Sequence, residues 1–96
     1  METSTTQEKT NFQEKIAKGL TEVIEGCLEG AKDFINDLKP LNRRNPQVEV
    51  CIRDLLNNAE VYLKQAKQNS YFTEIDNIQL TNRYEVIKKD FDKLKF

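Results

Sequence analysis

All three glycines of the chain, Gly19, Gly26 and Gly30, fall in one stretch of helical periodicity, where they line one edge of its apolar face. Glycine inside a helix costs roughly 1 kcal/mol relative to alanine, so three within a few turns need a reason. Close approach of another backbone is the physical one. The stretch therefore predicts a helix with something packed against its glycine edge.

The apolar positions of that helix are Ile16, Leu20, Val23, Ile24, Cys27, Leu28, Ala31, Phe34, Ile35 and Leu38. They follow Thr10-Asn11-Phe12-Gln13, which has the form of a capping box. At about 100° per residue they fill an arc wide enough to meet two neighbouring helices, and all are assigned to the core. Lys39-Pro40 stops the helix, because proline disfavours the helical conformation in the residue before it and has no amide proton. After a connection over 39–45, Asn45-Pro46 supplies an N-cap and a first-turn proline. The second helix presents Val48, Cys51, Ile52, Leu55, Leu56, Ala59, Tyr62, Leu63 and Ala66 to the core. Val50 and Val61 lie on its far side and suggest a weak secondary contact. Tyr71 and Phe72 are expected to fold inward over a bundle end. Asp76-Asn77-Ile78-Gln79 repeats the capping-box form, with Ile75 and Leu80 placed as a hydrophobic staple. Beyond it Leu80, Tyr84, Ile87, Phe91 and Leu94 recur at spacings of four, three, four and three, the seam of a bundle.

These elements predict an all-α fold, an antiparallel up-down-up three-helix bundle with helices over 11–38, 46–68 and 77–95. Residues 1–9 are read as a frayed, flexible tail, and 10–96 as a single domain. The first helix would extend roughly 40 Å and the third under 30 Å, which leaves part of the first uncovered. Dimerisation would cover it.

Composition narrows function mainly by exclusion. No segment approaches the roughly 20 apolar residues that span a bilayer, and METSTTQEKT lacks the apolar centre of a secretory leader, so a cytoplasmic protein is expected. Residues 1–38 carry a net charge of −4 and residues 39–96 a net charge of +3, which lets the two parts attract each other. Cys27 should lie level with about residue 57 of the second helix, roughly 9 Å out of step with Cys51, too far for a disulfide. Both thiols are assigned to the core. The chain has no histidine, which removes His-assisted nucleophiles and the Glu-x-x-His ligands of di-iron bundles. No metal site, cofactor or catalytic residue is expected, and the chain is read as non-enzymatic. Glu22, Glu25, Glu29, Asp33 and Asp37 form an acidic ridge on the first helix, with nothing to enclose it. Arg43, Arg44 and Lys39 are too few and too well offset for nucleic acid. Asp90 and Asp92 weaken a membrane role for the lysine-rich end around Phe91, Leu94 and Phe96, although a peripheral membrane protein remains an alternative.

What remains is a protein-binding module. Its expected surface is Gly19, Gly26 and Gly30 for close approach, with Glu22, Glu29 and Asp33 for polarity. The expected partner is another protein or a second copy of the chain. A small adaptor, a chaperone-like protein or a toxin-neutralising immunity protein has this size and topology, as does a structural homodimer.

Overall fold

An asparagine before a proline starts the second helix where the sequence places it. The computed structural model describes the backbone of residues 2–41 and 43–94 and the side chains of 12–41 and 43–94. In it α2 spans Pro46–Lys67, with Asn45 extended at φ −133° and ψ 93°. The Asn45 side chain accepts from the Val48 amide at 3.2 Å, satisfying one of the four amides that a helix start leaves without partners. Asn45→Ala should therefore cost about 1 kcal/mol. A fall in the urea midpoint at unchanged slope is the expected reading; an unchanged midpoint would mean that other groups cap this turn.

Helix α1 spans Glu2–Leu38 and gives way at Pro40 to a single 3-10 turn, Lys39–Leu41. Its start lies well before the expected residue 11. The preceding stretch contains neither glycine nor proline, and extending an existing helix costs far less than nucleating one. Thr10-Asn11-Phe12-Gln13 is consequently helix interior rather than a cap; the side chains of Thr10 and Asn11 lie outside those described. Helix α3 spans Glu74–Asp92, also earlier than expected, because Thr73 is its N-cap. The Thr73 hydroxyl accepts from the Asp76 amide at 3.1 Å. The Asp76–Gln79 box is thus displaced into the first turns, and the Ile75–Leu80 staple does not form: Ile75 is 69% exposed while Leu80 is buried. Lys95, the expected last residue of this helix, lies outside the described residues.

Among the described residues there are three α-helices and no strand. Helix α2 runs back along α1. Leu55 packs on Gly30, and near the far end the Asn69 amide donates to the Gln13 carbonyl at 3.0 Å. Helix α3 then returns parallel to α1, with Arg83 near Glu29 and Asp90 near Lys39, each at 3.9 Å. The core joins Ile24, Leu28, Ala31, Ile35 and Leu38 of α1 to Ile52, Leu56, Ala59, Leu63 and Ala66 of α2, with Leu80 and Ile87 of α3 laid over the seam. Phe72 packs against this core, whereas Tyr71 stays 40% exposed. A helix of this length measures roughly 55 Å, and the molecule is 62 Å along its longest axis. Helix α1 therefore outruns both neighbours at its N-terminal end.

Candidate functional site

The buried positions of α1 are Ala17, Ile24, Leu28, Ala31, Ile35 and Leu38, a narrow seam rather than the broad arc expected. Ile16, Val23 and Phe34, assigned to the core from periodicity, are 37%, 45% and 36% exposed, and Phe12 is 62% exposed. Their spacing explains this. Phe12, Val23 and Phe34 are eleven residues apart, as are Ile16 and Cys27. Eleven residues make just over three full turns, so these side chains stack with a drift of only about 20° per step. They form a second stripe beside the core seam, displaced from it by roughly 100°, the rotation from Ile24 to Val23. Helices α2 and α3 occupy the first stripe and leave the second open. On the α2 side its border is Cys51, Leu55 and Tyr62. Cys51 is exposed, contrary to its expected burial, because it lies about 100° from the Ile52 seam on that same uncovered side. Cys27 is half-buried, and its partial burial raises the thiol pKa above the ordinary range. Both cysteines are free.

The six residues expected to form the binding surface divide between two environments. A Cβ added to Gly19 or Gly26 would meet nothing within 4 Å. One added to Gly30 would lie 3.3 Å from Leu55 Cδ1. Gly30 thus serves the packing of α1 on α2, and Gly19 and Gly26 face open space. Glu22 and Asp33 are exposed on the same outer side as those two glycines. Glu29 turns instead toward α3 and pairs with Arg83, so part of the charge asymmetry goes into holding α3 against α1. An exposed pair of this kind contributes little, on the order of 0.5 kcal/mol. The stripe of Phe12, Ile16, Val23 and Phe34 was legible in spacings of four, seven and eleven; periodicity alone merged Ile16, Val23 and Phe34 with the core, and Phe12 was read as part of a cap. Val50 and Val61 are half exposed.

A second cluster lies where the start of α2 meets the end of α3. Arg44 grips Glu49 through Nη2 to Oε1 at 2.9 Å, and Glu49 is only 6% exposed. This absorbs one of the two arginines of the first connection. Arg53 stacks over the Phe91 ring at 5.7 Å, and Phe91 and Leu94 pack against the core rather than facing outward; Phe96 lies outside the described residues. Further along the same pair of helices, the Tyr84 hydroxyl donates to Glu60 at 3.2 Å, with Lys64 3.5 Å away on the same carboxylate. The Arg44 hydrogen bond holds the Glu49 carboxyl below the usual range, against the opposing effect of its desolvation. The Tyr84 hydrogen bond, aided by Lys64, does the same for Glu60. Both carboxylates thus bind protons more weakly in the folded chain than in the unfolded one. Their contribution to stability is fully present above the ordinary glutamate pKa of about 4.3 and is lost as pH falls through their lower folded values. Glu49→Gln should therefore flatten the loss of stability with acid below about pH 4.3, measured as urea midpoints across the acid range; an unchanged slope would mean that Glu49 carries no linked proton.

Among the described residues no group of three or more Cys, Asp or Glu side chains stands ready to hold a metal ion, and no helix is long and apolar enough to cross a membrane. The grooves between helices are open clefts of about 210 to 340 Å3. Comparison of the chain with protein-family models, with characterised proteins and with solved structures gave no match.

Proposed function

We infer that this chain is a non-enzymatic protein-interaction module that binds its partner along the outer edge of α1. The observation that carries the reading is the second apolar stripe. Four large apolar side chains on one helix, Phe12, Ile16, Val23 and Phe34, lie exposed in line, next to two glycines whose flanks are empty. Single exposed apolar residues need no explanation; four aligned along one side of a helix point to an interaction surface. The glycines permit a partner's backbone to come close, and Glu22 and Asp33 at the outer margin favour one orientation of it. A cytoplasmic setting, in which Cys27 and Cys51 stay reduced, suits this role.

Recovery of tagged protein from its native cell, with the mass of the eluate measured by light scattering, tests the reading. The wild-type chain should elute in a stoichiometric assembly and the Val23→Lys variant without it, both equally helical by circular dichroism. Recovery of the wild type as an 11.2 kDa monomer under all conditions would overturn it.

A further inference from the structure

We propose that the occupant of the open stripe is a second copy of the chain, docked antiparallel with a two-fold axis at Val23. The proposal rests on the interaction reading above and names its partner. Its basis is the order of residues along the stripe. A two-fold contact requires one surface to complement itself, and for antiparallel helices this means that positions equidistant from the axis must fit each other.

About Val23 they do. Phe12 of one copy falls level with Phe34 of the other, and Ile16 falls level with Gly30. Gly30 and the Leu55 methyl seated on it form a shelf without a side chain of its own, which receives the isoleucine. Gly19 falls within one residue of the level of Gly26, on the same flank of the contact. These are the two glycines with nothing within 4 Å of an added Cβ. Their meeting gives each a reason to be glycine that the single chain does not supply, because it lets the backbones approach. Helical side chains lean toward their own N-terminus. Phe34 therefore leans along the other copy toward the groove of about 250 Å3 that Gln13, Ile16, Leu20 and Gln65 help to line. At the margin, Lys15 of one copy stands within two residues of the level of Asp33 of the other, on the same flank, and the symmetry makes this pair twice. Large residue against glycine, aromatic against aromatic and two cation–anion pairs follow from one axis position, set against a single like-charge approach of Glu22 to its own copy.

The stripe from Phe12 to Phe34 spans about 33 Å of helix. Pairing it with its copy would also cover the Cys51, Leu55 and Tyr62 border and give a four-helix layer of two α1 and two α2.

The experiment uses the full chain, purified, from micromolar to millimolar concentration. Sedimentation equilibrium should give twice the 11.2 kDa of the chain at the upper end. On a Cys27→Ser, Cys51→Ser background, Val23→Cys should oxidise to a covalent dimer, since only a residue at the axis meets its own copy, whereas Ile16→Cys on the same background should not. Lys15→Glu and Asp33→Lys should each raise the dissociation constant about five- to tenfold, two exposed pairs being reversed at once, and the double variant should recover. Gly26→Leu should leave the monomer helical, since its flank is empty, and abolish the dimer. A dimer whose Val23→Cys form fails to cross-link and whose charge reversals do not compensate would overturn this register. A chain monomeric throughout the range would overturn the second copy as occupant. If that same monomer bound a foreign partner that Val23→Lys releases, the interaction reading would survive the loss of this one.

Discussion

Leu28→Ala should lower the stability of the chain by about 3 kcal/mol and its melting temperature by about 15 °C. Leu28 is fully buried, in the middle of the α1 seam, with Ile24 and Ala31 beside it on its own helix. Removing its isobutyl group deletes both the transfer energy of the buried carbons and the dispersion attraction of the side chains around the void. A 96-residue domain holds about 5–14 kcal/mol in all, so the loss is a large share of the total. Val23→Ala, in the stripe beside that seam, should change stability by less than about 0.5 kcal/mol. Val23 is 45% exposed, and the little packing its methyl groups make within the chain is offset by the better helix propensity of alanine. Paired thermal melts in dilute solution read the contrast. Equal losses at the two positions would mean that the second stripe is core after all, and the proposed surface would fall with that result.

The parts of this fold that rest on local chemistry were legible in the sequence. Pro40 and Pro46 locate the first connection because proline acts on its own residue and the one before it, and Asn45 caps with its own side chain. The seam of α3 was legible for the same reason, since Leu80 and Ile87 stand a heptad apart with Tyr84 between them. What failed was choice among equals. Thr73-x-x-Asp76 and Asp76-x-x-Gln79 have similar cap chemistry, and the earlier one wins where Phe72 is drawn onto the core and sets the entry of the chain. The arc of α1 was likewise read correctly as apolar, and correctly as buried at Ile24, Leu28, Ala31, Ile35 and Leu38, but wrongly as buried at Ile16, Val23 and Phe34. Periodicity reports which residues share a side of a helix, and the position of α3 decides which side is covered. Glu29 and Arg83, on different helices and far apart in the chain, help to fix that position. Gly30 and Gly26 look alike in sequence, and only the arrival of Leu55 at one of them separates their roles.

That separation makes the glycines the sharpest probe of the surface. Gly19→Ala and Gly26→Ala should each stabilise the chain in dilute solution by about 1 kcal/mol, and together by about 2 kcal/mol, raising the melting temperature by about 10 °C. Each sits inside α1, so alanine reduces the backbone freedom of the unfolded chain without strain in the folded one. The added methyl meets nothing within 4 Å at either site. Gly30→Ala should gain less than either, because its methyl would press on Leu55 Cδ1 at 3.3 Å and that side chain must yield by a few tenths of an ångström. Thermal melts of the three single variants and the double test the order, and a gain at Gly30 equal to the others would remove the internal packing assigned to it. Two glycines that the isolated fold would hold better as alanines break a local rule without compensation inside the chain. On the proposed reading, compensation comes from what touches the outside of α1. The same double variant that melts later in dilute solution should associate more weakly when concentrated. That opposition of sign separates a surface kept open for a partner from one that is merely unoccupied.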